Sequence, residues 1–280
     1  MKWITSPTDR AFFKLLILCC CVFLPYFGSI RAGSFEANEY LQAQAEAPIF
    51  VSLGANCETA TQLLNNGLRC AAYPFDWLLT LDHPLFIRCL EQDFKYFMDE
   101  NYLTQFISPN KPSYVLNKYY SFEFRHDWLD ASVRPVSFPL LYPKIREKYQ
   151  RRIHRFFDLD GQPNKVYFVR CALDPDLSGI FPTHTPHCTK IVASQAEELK
   201  NVLSKKFPNL DFQLIIINYR VTNVPPITGI DKVVEYKIRR SHRTQDCRCI
   251  LRSLSLYRSK IGARRSTEKA FLDDRHPTPN

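Results

Sequence analysis

The chain has 280 residues, of which 45% are hydrophobic, 14% aromatic and 23% charged, and it carries a formal net charge of +9 at pH 7. This composition excludes a wholly disordered or fibrous protein and supplies one large or two small domains with a substantial core. Eight glycines against nineteen prolines imply stiff, proline-marked loops, with no glycine-rich phosphate loop and no internal repeat.

Residues 1–40 read as a targeting segment. Lys2, Arg10 and Lys14 precede a mostly apolar run from Leu15 to Ile30, which contains Cys19, Cys20 and Cys21, and Glu36 and Glu39 follow it. Cationic flanking of an apolar run at the N-terminus predicts a signal peptide or signal anchor, with Ala32 as the small residue before a cleavage site. The run is short against the roughly 20 residues that span a bilayer. Basic residues on its N-terminal side would send the following domain out of the cytoplasm, secreted or membrane-anchored.

Residues 41–236 read as a single α/β domain. Ile49 to Leu53 is a short β-rich run. Cys57 to Asn66 carries Ala60, Leu63 and Leu64 at helical spacing until Gly67 ends it. A second helix is predicted from Leu85 to Phe97, opening after Pro84. The stretch Tyr119–Trp128 alternates when extended, with Tyr120, Phe122, Phe124 and His126 on one face and Ser121, Glu123, Arg125 and Asp127 on the other. Pro143 to Phe157 predicts a helix burying Ile145, Tyr149, Ile153 and Phe156. Lys165–Cys171 and Phe212–Asn218 are continuous apolar runs of the kind buried on both faces, and a helix from Ser194 to Phe207 separates them. The unit predicts a right-handed βαβ crossover in a mainly parallel sheet flanked by helices.

Residues 237–280 form a basic tail. Between Lys237 and Arg265 ten basic residues face one acid, Asp246, so this stretch alone equals the net charge of the chain. It suits contact with an anionic surface, but it lacks the regular aromatic interleaving of a nucleic-acid stacking platform, and no nucleic acid is expected.

Beyond the apolar segment seven cysteines remain: Cys57, Cys70, Cys89, Cys171, Cys188, Cys247 and Cys249. An odd number in an oxidising compartment leaves at least one thiol outside any disulfide, and Cys57 is the candidate. No metal or cofactor is expected: Cys247-Arg-Cys249 has no second ligand pair at convincing spacing, and His184, His187 and Cys188 share one proline-rich loop.

Cys57 lies where the strand breaks at Gly54 and a helix begins, a position at which backbone N–H groups and the macrodipole favour the thiolate. A cysteine nucleophile also needs a base, and a group to orient that base. Among seven histidines, His126 is the choice, because alternation carries it toward the apolar face. The adjacent Asp127 is a poorer orienting acid, since neighbouring side chains on a strand diverge. Asp76, in the aromatic and proline-fixed run Tyr73–Trp77, is preferred, although it reads equally as a cap for the following turn. Asn56 suits either an oxyanion donor or a helix cap. Glu58 beside the thiol opposes thiolate formation.

Ser52-Leu-Gly-Ala-Asn-Cys57, Gln62-Leu63, Gly67-Leu-Arg69, Tyr73-Pro-Phe-Asp-Trp77, His126-Asp127, Lys148–Phe156 and Phe168-Val-Arg170 together resemble the uncharacterised family labelled "putative papain-like cysteine peptidase", over about residues 49–218. The resemblance implies a hydrolase or acyl transferase centred on Cys and His, acting on a peptide, amide or ester. A papain fold would pair a helical lobe with an antiparallel barrel-like lobe, whereas the runs here predict a mainly parallel sheet, and the local pattern is preferred. Two other classes stay open. One is a membrane-anchored glycosyltransferase-like protein using Asp174 and Asp176; the other is a non-catalytic secreted domain of the same fold.

Overall fold

The computed structural model describes residues 47–108, 111–128, 136–172, 190–219 and 225–238. The segment read as a signal, the Asp174–Asp176 pair, His184, His187, Cys188 and all of the tail beyond Ile238 lie outside these residues. In chain order the elements are β1 (Ile49–Ser52), α1 (Cys57–Asn65), β2 (Leu78–Leu79), α2 (His83–Glu91), β3 (Leu103–Ser108), β4 (Lys111–Asn117), β5 (Phe122–Phe124), α3 (Phe138–Phe157), β6 (Val166–Cys171), α4 (Ala193–Lys206), β7 (Phe212–Tyr219) and β8 (Val233–Ile238).

The predicted parallel sheet is present, in the order β1-β6-β7-β8. Val166, Phe168, Leu214 and Ile216 are fully enclosed, and so are their neighbours Val169, Ile215 and Ile217, so successive side chains on both faces are covered, as in strands with helices on either side. β6 and β7 pair in parallel from Val166↔Phe212 to Cys171↔Ile217, with α4 between them in sequence. β8 adds the last parallel strand and includes Lys237, the first residue assigned to the basic tail.

The expectation of one mainly parallel sheet needs correcting, because the remaining four strands form a second, antiparallel sheet in the order β2-β5-β4-β3. Two of its strands have only two and three residues, too few for alternation to register. An aromatic core joins the sheets. Phe75 packs against Phe86, Phe94, Phe97, Phe122 and Phe156, and Phe156 in turn meets Phe168 and Phe207. Each such ring pair adds about 0.5–1.5 kcal/mol beyond the burial of its area.

Two helices differ in extent from their predictions. α2 starts earlier, at His83, because Asp82 caps it by accepting the Leu85 N–H at 2.9 Å and Pro84 lies within the first turn. It stops at Glu91 rather than Phe97, since Asp93 and Phe94 take positive φ values of 54° and 59°. α3 begins at Phe138, with Pro143 inside it. At one turn from the helix start, a missing N–H strands only the carbonyl of residue 139, so Pro143 does not mark the boundary. Among the described residues no helix is long and apolar enough to cross a membrane.

Candidate active site

The turn from β1 into α1 is tied down through several of its polar groups. Gly54 has φ +76°, and a Cβ there would stand 2.9 Å from Thr80 Oγ1 and 3.3 Å from the Phe75 carbonyl oxygen, so glycine is required for both conformation and space. The Gly54 N–H donates to Ser52 Oγ, and the Gly54 carbonyl accepts from Thr59 Oγ1 at 3.0 Å and from the Cys171 N–H at 3.2 Å. Thr80 N–H donates to the Ala55 carbonyl at 2.8 Å. Arg170, 4% exposed, donates through Nη1 to the Leu53 carbonyl and Thr80 Oγ1, and through Nη2 to the Thr80 carbonyl, while its guanidinium lies 3.9 Å from the Phe86 ring centre. A buried cation whose donors meet carbonyls and an aromatic face locks three segments together.

Cys57 is the first residue of α1 and is half-buried. Asn56 adopts extended backbone and accepts the Glu58 N–H on Oδ1 at 3.0 Å, so of the two roles open to it, its side-chain oxygen fills the capping one. Glu58 is turned along the helix, where Oε1 accepts from Gln62 Nε2 at 2.8 Å. The thiol thus sits at the positive end of a capped helix, the setting that lowers thiol pKa. Cys89 and Cys171 are buried free thiols, so any disulfide pairing among the seven leaves those two out. Burial pushes Cys171 up to about 11.

His126 does not continue the alternation of β5. The strand ends at Phe124, and His126 is exposed while Asp127 and Trp128 turn inward; the expectation that alternation carries His126 to the apolar face is corrected accordingly. Its ring packs edge-on against Trp77, with centroids 6.0 Å apart. Asp76 is buried in the dry surroundings expected for it, but its Oδ2 accepts from Arg69 Nη2 at 2.6 Å, Arg69 Nε at 2.9 Å and the Tyr73 N–H at 3.0 Å. Arg69 also stacks over Trp77, 5.6 Å from the ring centre. Burial raises the Asp76 carboxyl above the ordinary aspartate range, against the pull of Arg69 and Arg152. Asp76 therefore bears on His126 by way of Arg69 and Trp77.

Asp127 belongs to a different group. Its oxygens accept from Lys148 Nζ at 2.5 Å and Tyr149 Oη at 2.6 Å. Burial pushes its carboxyl up, but Lys148, Arg152 and these hydrogen bonds outweigh burial and hold it below the usual value. It fastens α3 to the end of β5.

The sequence reading passed over His83. In the structure its Nε2 lies 3.0 Å from Glu198 Oε2, tying the start of α2 to α4. Burial first and Arg170 second lower its pKa below the ordinary histidine value, against Glu198. The ring borders a small crevice of about 10 Å³ with Ala55, Arg170, Cys171 and Lys190, at the carboxyl ends of β1 and β6. Its partner stands 115 positions later, so no local sequence signal connects the two. Among the described residues no group of three or more His, Cys, Asp or Glu residues is placed to hold a metal.

A family model described as "Putative papain-like cysteine peptidase" matches residues 48–221, more than half of the chain. The chain is also similar to the "Uncharacterized protein R408" of Acanthamoeba polyphaga mimivirus, at 27% identity over 188 residues that cover 61% of this chain and 78% of the viral one. No solved structure matches it. The matched span starts one residue before β1 and runs past β7, taking in the Gly54 turn, Cys57, the Tyr73–Trp77 run and His126, and by it the chain belongs to the family described as "Putative papain-like cysteine peptidase".

Proposed function

We propose that the protein is a thiol hydrolase or acyl transferase with Cys57 as its nucleophile, acting on an amide or ester. The observation that carries this reading is the position of Cys57 at the first residue of a capped helix, behind a turn that Gly54 and Arg170 hold rigid. Such a turn presents a thiol at the carboxyl edge of a parallel sheet, where α/β folds bind their ligands. Family membership supports the same chemistry.

In the proposed reaction the Cys57 sulfur attacks the carbonyl carbon, forming a thioester as the C–N or C–O bond breaks. The leaving amine or alcohol takes the proton that a histidine received from the thiol. Water, or an acceptor amine or alcohol, then attacks the thioester and regenerates the thiol. Asp76 supports this edge through Arg69 and Trp77 rather than as an acid on the base. We place the activity outside the cytoplasm, on the strength of the basic-flanked apolar run at Leu15–Ile30, and assign the basic tail to an anionic surface.

The test is alkylation of the full chain with iodoacetamide, read at the Cys57 peptide by mass spectrometry. Cys57 is expected to react at pH 6 at least tenfold faster than a model thiol, since each unit by which thiol pKa falls raises the thiolate fraction about tenfold. Reaction no faster than the model thiol removes the nucleophile.

A further inference from the structure

We infer that the first part of the basic tail, Arg239–Arg252, docks in cis on the groove between α2 and α4; the inference rests on the assignment of the tail to an anionic surface and is independent of the chemistry at Cys57. The groove is open, with a volume of about 450 Å³, and it is lined by Glu91 of α2 and by Glu197, Glu198, Asn201, Val202 and Lys205 of α4. Three carboxylates thus face one cation. Glu91 and Glu197 are exposed, and neither enters a salt bridge among the described residues. Glu198 keeps 53% of its side chain in solvent even while its Oε2 holds His83 at 3.0 Å.

Charge, position and reach select the tail as the occupant. Between Arg239 and Arg252 the basic residues are Arg239, Arg240, Arg243, Arg248 and Arg252, against the single acid Asp246, and arginine is the side chain whose planar fork pairs best with carboxylates. Ile250 and Leu251 in the same stretch suit the half-buried Val202 on the groove floor. β8 runs parallel to β7, and α4 leads from the end of β6 back to the start of β7. β8 therefore ends at the edge of the sheet where α4 begins. α4 packs on β8, and α2 packs on α4, so the tail leaves β8 near the Ser194 end of the groove. The 14 residues of α4 extend about 20 Å as a helix, whereas Arg239–Arg252 spans up to about 45 Å when extended.

The tether supplies the strength that exposed ion pairs lack. Each such pair is weak, because both ions stay hydrated and salt screens them. A short connection to β8 holds the arginines near the groove at an effective concentration of about millimolar, and several of them engage together. The groove thereby competes with any external anionic surface for the same arginines.

The experiment uses the cysteines that the tail already carries, Cys247 and Cys249. Asn201→Cys, in the groove, and Gln150→Cys, exposed on α3, are each made in the full chain, reduced, and treated with a mild oxidant; mass spectrometry reads the disulfide between the new site and Cys247 or Cys249, and circular dichroism checks the fold. The bond to position 201 is expected to form roughly tenfold faster than that to position 150, and high salt or the added pair Glu91→Gln and Glu197→Gln should remove the difference. In the chain without new cysteines, the same two glutamine substitutions should strengthen binding to phosphatidylserine-containing vesicles, because the arginines are released. Equal rates at positions 201 and 150, with the wild type and the glutamine variant binding the vesicles alike, overturn the docking and leave the tail assigned to an external anionic surface. Equal rates with no vesicle binding by either chain sink both. A faster bond at position 201 that neither salt nor the glutamine pair alters overturns the carboxylates as the docking surface.

Discussion

The buried Arg69–Asp76 pair separates a structural from a catalytic carboxylate. Arg69 and Asp76 are 6% and 1% exposed and meet at 2.6 Å, with the Tyr73 N–H completing the arrangement. Removing one partner of a buried pair strands the other and costs about 3–5 kcal/mol. At roughly 2–4 °C per kcal/mol for a domain of 150–250 residues, Arg69→Met and Asp76→Asn should each lower the melting temperature by roughly 6–20 °C. The two differ in pH dependence. Arg69→Met leaves a carboxyl that burial already raises, so in the folded state it can take up a proton. A carboxyl with a folded pKa above the unfolded value of about 3.9 destabilises increasingly as pH rises through the folded value. The loss in Arg69→Met should therefore be smallest near pH 4 and largest above pH 7. Asp76→Asn leaves a guanidinium that cannot neutralise and no carboxyl to titrate, so its loss relative to the wild type, whose own Asp76 is raised, should not grow over the same range. Calorimetric or fluorescence melts at pH 4.5, 6 and 8 give the comparison. If Asp76→Asn melts within about 2 °C of the wild type yet abolishes the reactivity of Cys57, Asp76 serves chemistry and the structural assignment is wrong.

Gly54→Ala forces a Cβ to 2.9 Å from Thr80 Oγ1 at positive φ, and should cost about 2–4 kcal/mol by combining backbone strain with displacement of Thr80 and Arg170; chemical denaturation measures the loss, and a change under 1 kcal/mol would falsify the account of the turn. The depressed pKa of Asp127 means that its stabilisation is complete above the unfolded carboxylate value of about 3.9 and is lost as pH falls through the lower folded value. Lys148→Met should raise the pH at which acid unfolding sets in, and an unchanged acid midpoint shows that Tyr149 and Arg152 hold Asp127 without the lysine.

Local pattern sufficed where a run was continuously apolar or an element's end chemically marked. The runs of β6 and β7 are apolar throughout because both faces are covered, and that continuity is visible in one dimension. Gly54 and Asn56 mark the start of α1, the first through a positive φ with no room for a Cβ and the second as a residue type favoured at helix caps. The second sheet was not legible in the same way: β2 and β5 have two and three residues and carry no period, and the six and seven residues of β3 and β4 form no continuous apolar run. Proline misled at α3, where Pro143 lies one turn inside a helix that begins at Phe138.

The candidate site divides along the same line. By itself the sequence determined the thiol at a strand-to-helix turn and the βαβ unit behind it, because these are marked by local residue pattern, and it left Asn56 open between a helix cap and an oxyanion donor. Only the tertiary structure decided the partners. It paired Asp76 with Arg69, gave Asp127 to Lys148 and Tyr149, and left His126 exposed once β5 ended at Phe124. It also joined His83 to Glu198 across 115 positions. Which carboxylate meets which cation or imidazole is set by the packing of helices on sheets, and residue type and spacing do not encode it.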